Sequence, residues 1–63
     1  MRKIQSLTNN SLSISAVIYR NVEWNEYVVK FHRAGVYQAD ADYHTDDKID
    51  AIDTANTFVL GFL

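Results

Sequence analysis

Tyr27 to Tyr43 is the stretch that most constrains the fold. Odd positions Tyr27, Val29, Phe31, Tyr37, Ala39, Ala41 and Tyr43 are apolar. Even positions Glu26, Lys30, His32, Gln38, Asp40 and Asp42 are polar, with Val28 and Val36 as exceptions. A period of two carried across Gly35 reads as two half-buried strands joined by a tight turn. A two-residue Ala34–Gly35 loop would set Phe31 against Gln38 and mix the faces. A three-residue Arg33–Gly35 loop sets His32 against Val36, Phe31 against Tyr37, Val29 against Ala39 and Tyr27 against Ala41. Only the longer loop keeps the apolar set together, since a one-residue slip flips every side chain. It also puts Gly35 in the left-handed position of a bulge-closed loop. The expectation is the three-residue loop.

A second alternating stretch precedes it. Leu12, Ile14, Ala16 and Ile18 fall on one face of Ser11–Arg20, a β-branched segment suited to a strand. With Asn21–Trp24 as the connection, Ile18 faces Tyr27, Ala16 faces Val29 and Ile14 faces Phe31. Residues 1–10 hold Ile4 and Leu7, enough for a short first strand or a frayed tail.

After His44 the period becomes helical. Thr45 suits an N-cap, and Asp46 and Asp47 suit a first turn that favours negative charge. Ile49, Ile52, Ala55 or Asn56, Val59 and then Phe62 or Leu63 form one stripe, with Ala51 and Phe58 on its flank. Gly61 is either the C-cap or a late helical residue. The expected fold is a single α+β domain over residues 1–63: a three-stranded antiparallel meander over 11–44, a short extra N-terminal strand or tail over 1–10, and a helix over 45–63 packed on the apolar face. Ala39 and Ala41 are small enough to leave that helix room.

Sixty-three residues form one small core, usually worth about 3–5 kcal/mol, and such chains often lean on disulfides, metals or self-association. There is no cysteine, so disulfides and thiolate metal sites are excluded. Net charge is −2, and six of the eight acids lie between Asp40 and Asp53. That distribution argues against a nucleic-acid footprint, which needs clustered Lys and Arg. The longest apolar run, Phe58–Leu63, is too short to span a bilayer, and the first twenty residues hold no unbroken apolar segment of the signal-peptide kind. A soluble cytoplasmic chain is expected, without membrane contact.

In the expected register Glu26 faces Asp42, with Asp40 on the same face and His44 beyond. Like charges across strands repel. Glu26, Asp40, Asp42 and His44 are therefore the one cluster with the chemistry to hold a divalent cation, although strand carboxylates lack the loop ligands calcium uses. The bland reading, a solvated face relieved by Lys30 and water, is preferred, and no metal or cofactor is expected. His32 and His44 read as surface imidazoles. The serines at 6, 11, 13 and 15 lie far in sequence from both, and no phosphate loop, H-E-x-x-H or G-x-S-x-G spacing occurs. No enzyme is expected. Trp24 reads as a lid on one end of the core, with an interface role as the alternative. Phe58, Leu60, Phe62 and Leu63 cannot share one stripe, and a last turn apolar all round implies burial against a second copy, a two-fold dimer.

The order strand, strand, strand, helix resembles the DNA-binding modules of the AP2 and integrase N-terminal type, which read DNA with the exposed sheet face. Here that face carries Glu26, Asp40 and Asp42 against Lys30, with Arg20 and Arg33 at its margins, the wrong charge for a phosphate backbone. The run Glu23–Phe31, followed by Ala39–Lys48, is similar to small uncharacterised proteins of tailed phages and marine metagenomes, which implies no particular activity. The functional expectation is a small non-catalytic interaction protein that self-associates. The alternative is a nucleic-acid-binding or DNA-mimicking module.

Overall fold

Five strands and one helix form in the order β1 (Arg2–Asn9), β2 (Ile14–Asn21), β3 (Glu26–Arg33), β4 (Val36–Tyr37), β5 (Tyr43–Thr45) and α1 (Lys48–Val59), with a 3-10 turn at Ala39–Ala41. The computed structural model describes residues 1–61. The sheet is antiparallel in the order β1-β2-β3-β4, and β5 shares the outer edge of β3 with β4. The class is α+β with the helix on one face, as expected. The strands number five rather than three, because the N-terminus is a full eight-residue strand and the last strand is split in two.

The split begins at the turn. Ala34 has φ 53° and Gly35 φ 78°, and Arg33 pairs with Val36. Two left-handed central residues make the two-residue hairpin turn whose twist matches its strands, not the three-residue loop. His32 then pairs with Tyr37, and the Gln38 amide donates to the Phe31 carbonyl at 2.8 Å. That is the face-mixing register, and the chain resolves the conflict by leaving the sheet. Residues 38–42 detour through the 3-10 turn, and the strand resumes with Tyr43 opposite Val29 and Thr45 opposite Tyr27. Arg33↔Val36 and Val29↔Tyr43 differ in register by three residues. An odd slip restores the alternation, so Tyr43 and Thr45 return to the covered face while Ala39 and Ala41 sit exposed on the detour.

Between β2 and β3 the pairs are Ile14↔Arg33, Ala16↔Phe31 and Ile18↔Val29. This is two residues from the expected register, which keeps every apolar side chain on its predicted face. The shift follows from the connection, Val22–Asn25 instead of Asn21–Trp24, with Asn25 at φ 50°. Arg20 pins it: its guanidinium donates to the Glu26 carbonyl at 3.0 Å and to Asn25 Oδ1 at 2.7 Å, and lies 4.9 Å from the Tyr27 ring centroid. On the far side β1 pairs along its length with β2, slipping one residue at Ile4. The slip brings Ile4 and Leu7, three apart, onto the covered face, where both pack against the core.

Asp47, not Thr45, caps the helix, accepting from the amides of Ile49 at 2.9 Å and Asp50 at 3.4 Å. Thr45 ends β5 instead, and its Oγ1 accepts from the Asp47 amide at 3.2 Å. The buried stripe is Ala51, Ala55, Phe58 and Val59, with Ile52 packed beside it. The expected stripe is thus rotated, and Ile49 stands 65% exposed. Side-chain size explains the rotation: Ala51 and Ala55 carry nothing beyond Cβ, and with Ala16 fully buried in the same core the helix can lie close to β2. Phe58 fills the space left, 4.5 Å from the Phe31 ring centroid. Gly61, at φ 87°, stops α1, its amide donating to the Phe58 carbonyl at 2.9 Å. Asn9 ties the C-terminal end to β1, its Nδ2 donating to the Val59 carbonyl at 2.5 Å.

Candidate interaction surfaces

The helix covers one face of the sheet and leaves the other open. Register places Lys3, Ser6, Thr8, Val17, Tyr19, Val28, Lys30, His32, Tyr37 and His44 on that open face. Lys30 Nζ lies 5.6 Å from the Tyr19 ring centroid and 5.2 Å from that of Tyr37. The His32 ring sits 5.5 Å from Tyr37, and His32 Nδ1 is buried without a hydrogen-bond partner among the described residues. The result is an ammonium held between two phenol rings. Tyr37 donates to the Asp42 carboxylate, 2.6 Å from each oxygen, and that hydrogen bond is the main reason its hydroxyl is pushed up to about 12. Tyr43 is raised in the same way by its hydrogen bond to Asp50.

The four-residue acidic cluster is not assembled. Glu26 accepts from His44 Nδ1 at 2.6 Å, because β5 re-enters with His44 opposite Val28. Asp42 is engaged by Tyr37, and Asp40 sits on the exposed 3-10 detour. Among the described residues no three His, Cys, Asp or Glu side chains gather in a metal-binding group. The detour also removes Asp40 and Asp42 from the open sheet face, leaving Glu26 as its one acid in the strands that build it.

Apolar side chains concentrate at the two ends of the sheet. On the β2–β3 connection Val22 is 78% and Trp24 74% exposed, so Trp24 does not close the core. Met1 and Val22 line one shallow depression there with Arg2 and Arg20. At the opposite end Leu12 and Leu60 are exposed, and Leu12 approaches the backbone at Gly61. Of the four residues expected to mediate self-association, Phe58 is buried in the chain's own core, Leu60 is 62% exposed, and Phe62 and Leu63 lie outside the described residues. Val22, Leu12 and Ile49 went unrecognised because an isolated apolar residue in a turn, or at the start of an apolar helix stripe, has no sequence mark of exposure.

The detour opens a further feature. Where residues 38–42 leave the sheet, a groove of about 570 Å³ runs between α1 and the edge of β3, lined by Phe31, Arg33, Tyr43, Asp53 and Phe58 among others. Its walls are mainly apolar, and the Arg33 guanidinium lies 5.3 Å from the Phe58 ring centroid. No family model matches the chain, and no curated protein and no solved structure matches it. Among the described residues no helix is long and apolar enough to cross a membrane.

Proposed function

We propose that this chain is a small non-catalytic interaction protein that self-associates. One observation carries the reading: nine large apolar or aromatic side chains stand exposed among the described residues, against ten buried apolar residues of which three are alanine. A fold that leaves nearly as much outside as inside gains most by covering that surface with another protein. Trp24 on a hairpin tip is the kind of side chain that anchors such contacts. Light scattering behind size exclusion, from micromolar to near-millimolar protein, tests the reading. A mass above the 7.2 kDa of one chain supports it, and a monomer throughout refutes it.

A second reading, nucleic-acid binding, draws on Tyr19, Lys30 and Tyr37. Aromatic rings flanking a lysine on an open sheet face suit base stacking beside a phosphate, and of the three acids expected to oppose this Asp40 and Asp42 lie off the face, leaving Glu26. Fluorescence anisotropy with a labelled single-stranded oligonucleotide at low salt tests it. Binding weakened by Lys30→Gln supports it, and a flat titration removes it.

A further inference from the structure

The sheet has two edges, and they differ. The β4/β5 edge is broken by the 3-10 detour into pieces of two and three residues. The β1 edge runs from Arg2 to Asn9 with a single bulge at Ile4 and pairs with β2 on one side only. Half of its backbone groups therefore point outward without a partner among the described residues, and from Gln5 to Asn9 β1 has neither proline nor a charged residue to discourage pairing, its cations Arg2 and Lys3 lying at the start of the strand. Resting on the self-association reading, we propose that β1 pairs antiparallel with β1 of a second copy about a two-fold axis at Ser6, joining the two sheets into one.

In this register both faces match. Ser6 meets Ser6 of the second copy on the open face, and Gln5 meets Leu7 on the covered face. Ile4 stays the extra residue, as it is against β2, so Lys3 meets Thr8 on the open face and Arg2 meets Asn9 on the covered one. No charge faces a like charge, and each cation stands opposite a neutral polar side chain. A one-residue shift would set Leu7 against the open face and lose the match. Ile4 and Leu7, half-buried at the rim of the core, gain cover on their outer side. Continuing past Arg2, Met1 runs beside Asn10 of the partner, where the exposed Leu12 follows. The two-fold axis stands perpendicular to the sheet, so both helices lie on the same face.

The chain has no cysteine, so a single introduced thiol reports cleanly. Across the axis the Ser6 Cα atoms would lie about 4.5–5.5 Å apart, inside the range of roughly 4.4–6.8 Å that a disulfide spans. Ser6 is exposed, and cysteine is nearly its size. Under mild oxidation at micromolar concentration, Ser6→Cys should become a covalent dimer at least tenfold faster than Ser11→Cys. Ser11 lies in the β1–β2 turn, and its two copies would stand roughly 33 Å apart at about 3.3 Å per residue. The double variant Lys3→Cys/Thr8→Cys should cross-link likewise, and serves if Ser6→Cys folds poorly. Equal rates for Ser6→Cys and Ser11→Cys, with no cross-link in the double variant, overturn the edge pairing. If the native chain still scatters as a dimer, that result removes this geometry and leaves self-association standing. If it scatters as a monomer, both fall.

Discussion

Replacing Ala34 with glycine should stabilise the protein. Ala34 has φ 53° as the first central residue of the β3–β4 turn, and Gly35 follows at φ 78°. An L-residue in the left-handed region costs about 1–2 kcal/mol through its Cβ. Glycine escapes that cost but loses about 0.5–1 kcal/mol more backbone entropy than alanine on folding. The difference is a net gain of about 0.5–1 kcal/mol. At about 4–8 °C per kcal/mol for a domain of this size, Tm should rise by about 2–8 °C. Asparagine, which the same turn accepts at this position, should give a gain of similar size, and Ala34→Val should lose stability. Thermal melts by circular dichroism, backed by urea midpoints, measure all three. The sign is decisive. In a three-residue loop Ala34 would be right-handed, and glycine there would lower Tm, so a lower Tm for Ala34→Gly refutes the two-residue turn.

Other consequences follow from the core and its borders. Phe58→Ala removes the ring packed against Phe31 and should cost about 3–5 kcal/mol, enough to unfold a domain this small, whereas Ile49→Ser should change stability by no more than about 0.5 kcal/mol because the side chain is exposed. The two far-ultraviolet spectra distinguish the rotated helix stripe from one centred on Ile49. Asp47→Ala should cost about 0.5–2 kcal/mol through the lost cap, and Thr45→Val less, measured by urea denaturation. Tyr37 is raised from 10.0 to about 12 by its hydrogen bond to Asp42, so the neutral phenol is favoured in the folded chain. The stability this contributes is complete below pH 10 and disappears as pH rises through about 12. Ultraviolet titration at the tyrosinate band should show Tyr37 and Tyr43 ionising late, and Asp42→Asn should move Tyr37 toward the ordinary value while leaving Tyr43, held by Asp50, in place. An unmoved titration would mean that the bond to Asp42 is not the cause.

Much of the fold is legible in the residues, and its failures of legibility have physical causes. The alternation in β2 and β3 identifies the covered face, and an error of two residues in pairing leaves that face unchanged because the period is two. The Ala34–Gly35 turn is harder to read. Face matching ruled it out on the premise that the strand continues, whereas the chain accepts the mismatch at Gln38 and repairs it by an odd slip over residues 38–42. Small Ala39 and Ala41 are expected to leave room for the helix, but both lie on the exposed 3-10 detour, and Ala41 lines the groove beside it. The helix falls within the expected 45–63 but spans only Lys48–Val59, and its expected stripe follows the large aliphatic residues. Close approach to β2 instead selects Ala51 and Ala55, a preference that hydrophobicity does not express. The acidic cluster failed for the same reason as the turn, since its members were brought together only by the unbroken register. The self-association residues divide along burial: Phe58 is held by Phe31, and Leu60 remains available.

Amide hydrogen exchange at low and high protein concentration tests most directly whether a second copy covers this chain through β1. Alternate amides of β1 point away from β2 and have no acceptor strand among the described residues of one chain. Exchange of those amides between Arg2 and Asn9 should slow at least tenfold from micromolar to near-millimolar protein, while β2 and β3 amides, already paired on both sides, change far less. Identical β1 exchange at both concentrations, with no rise in mass, would contradict the account.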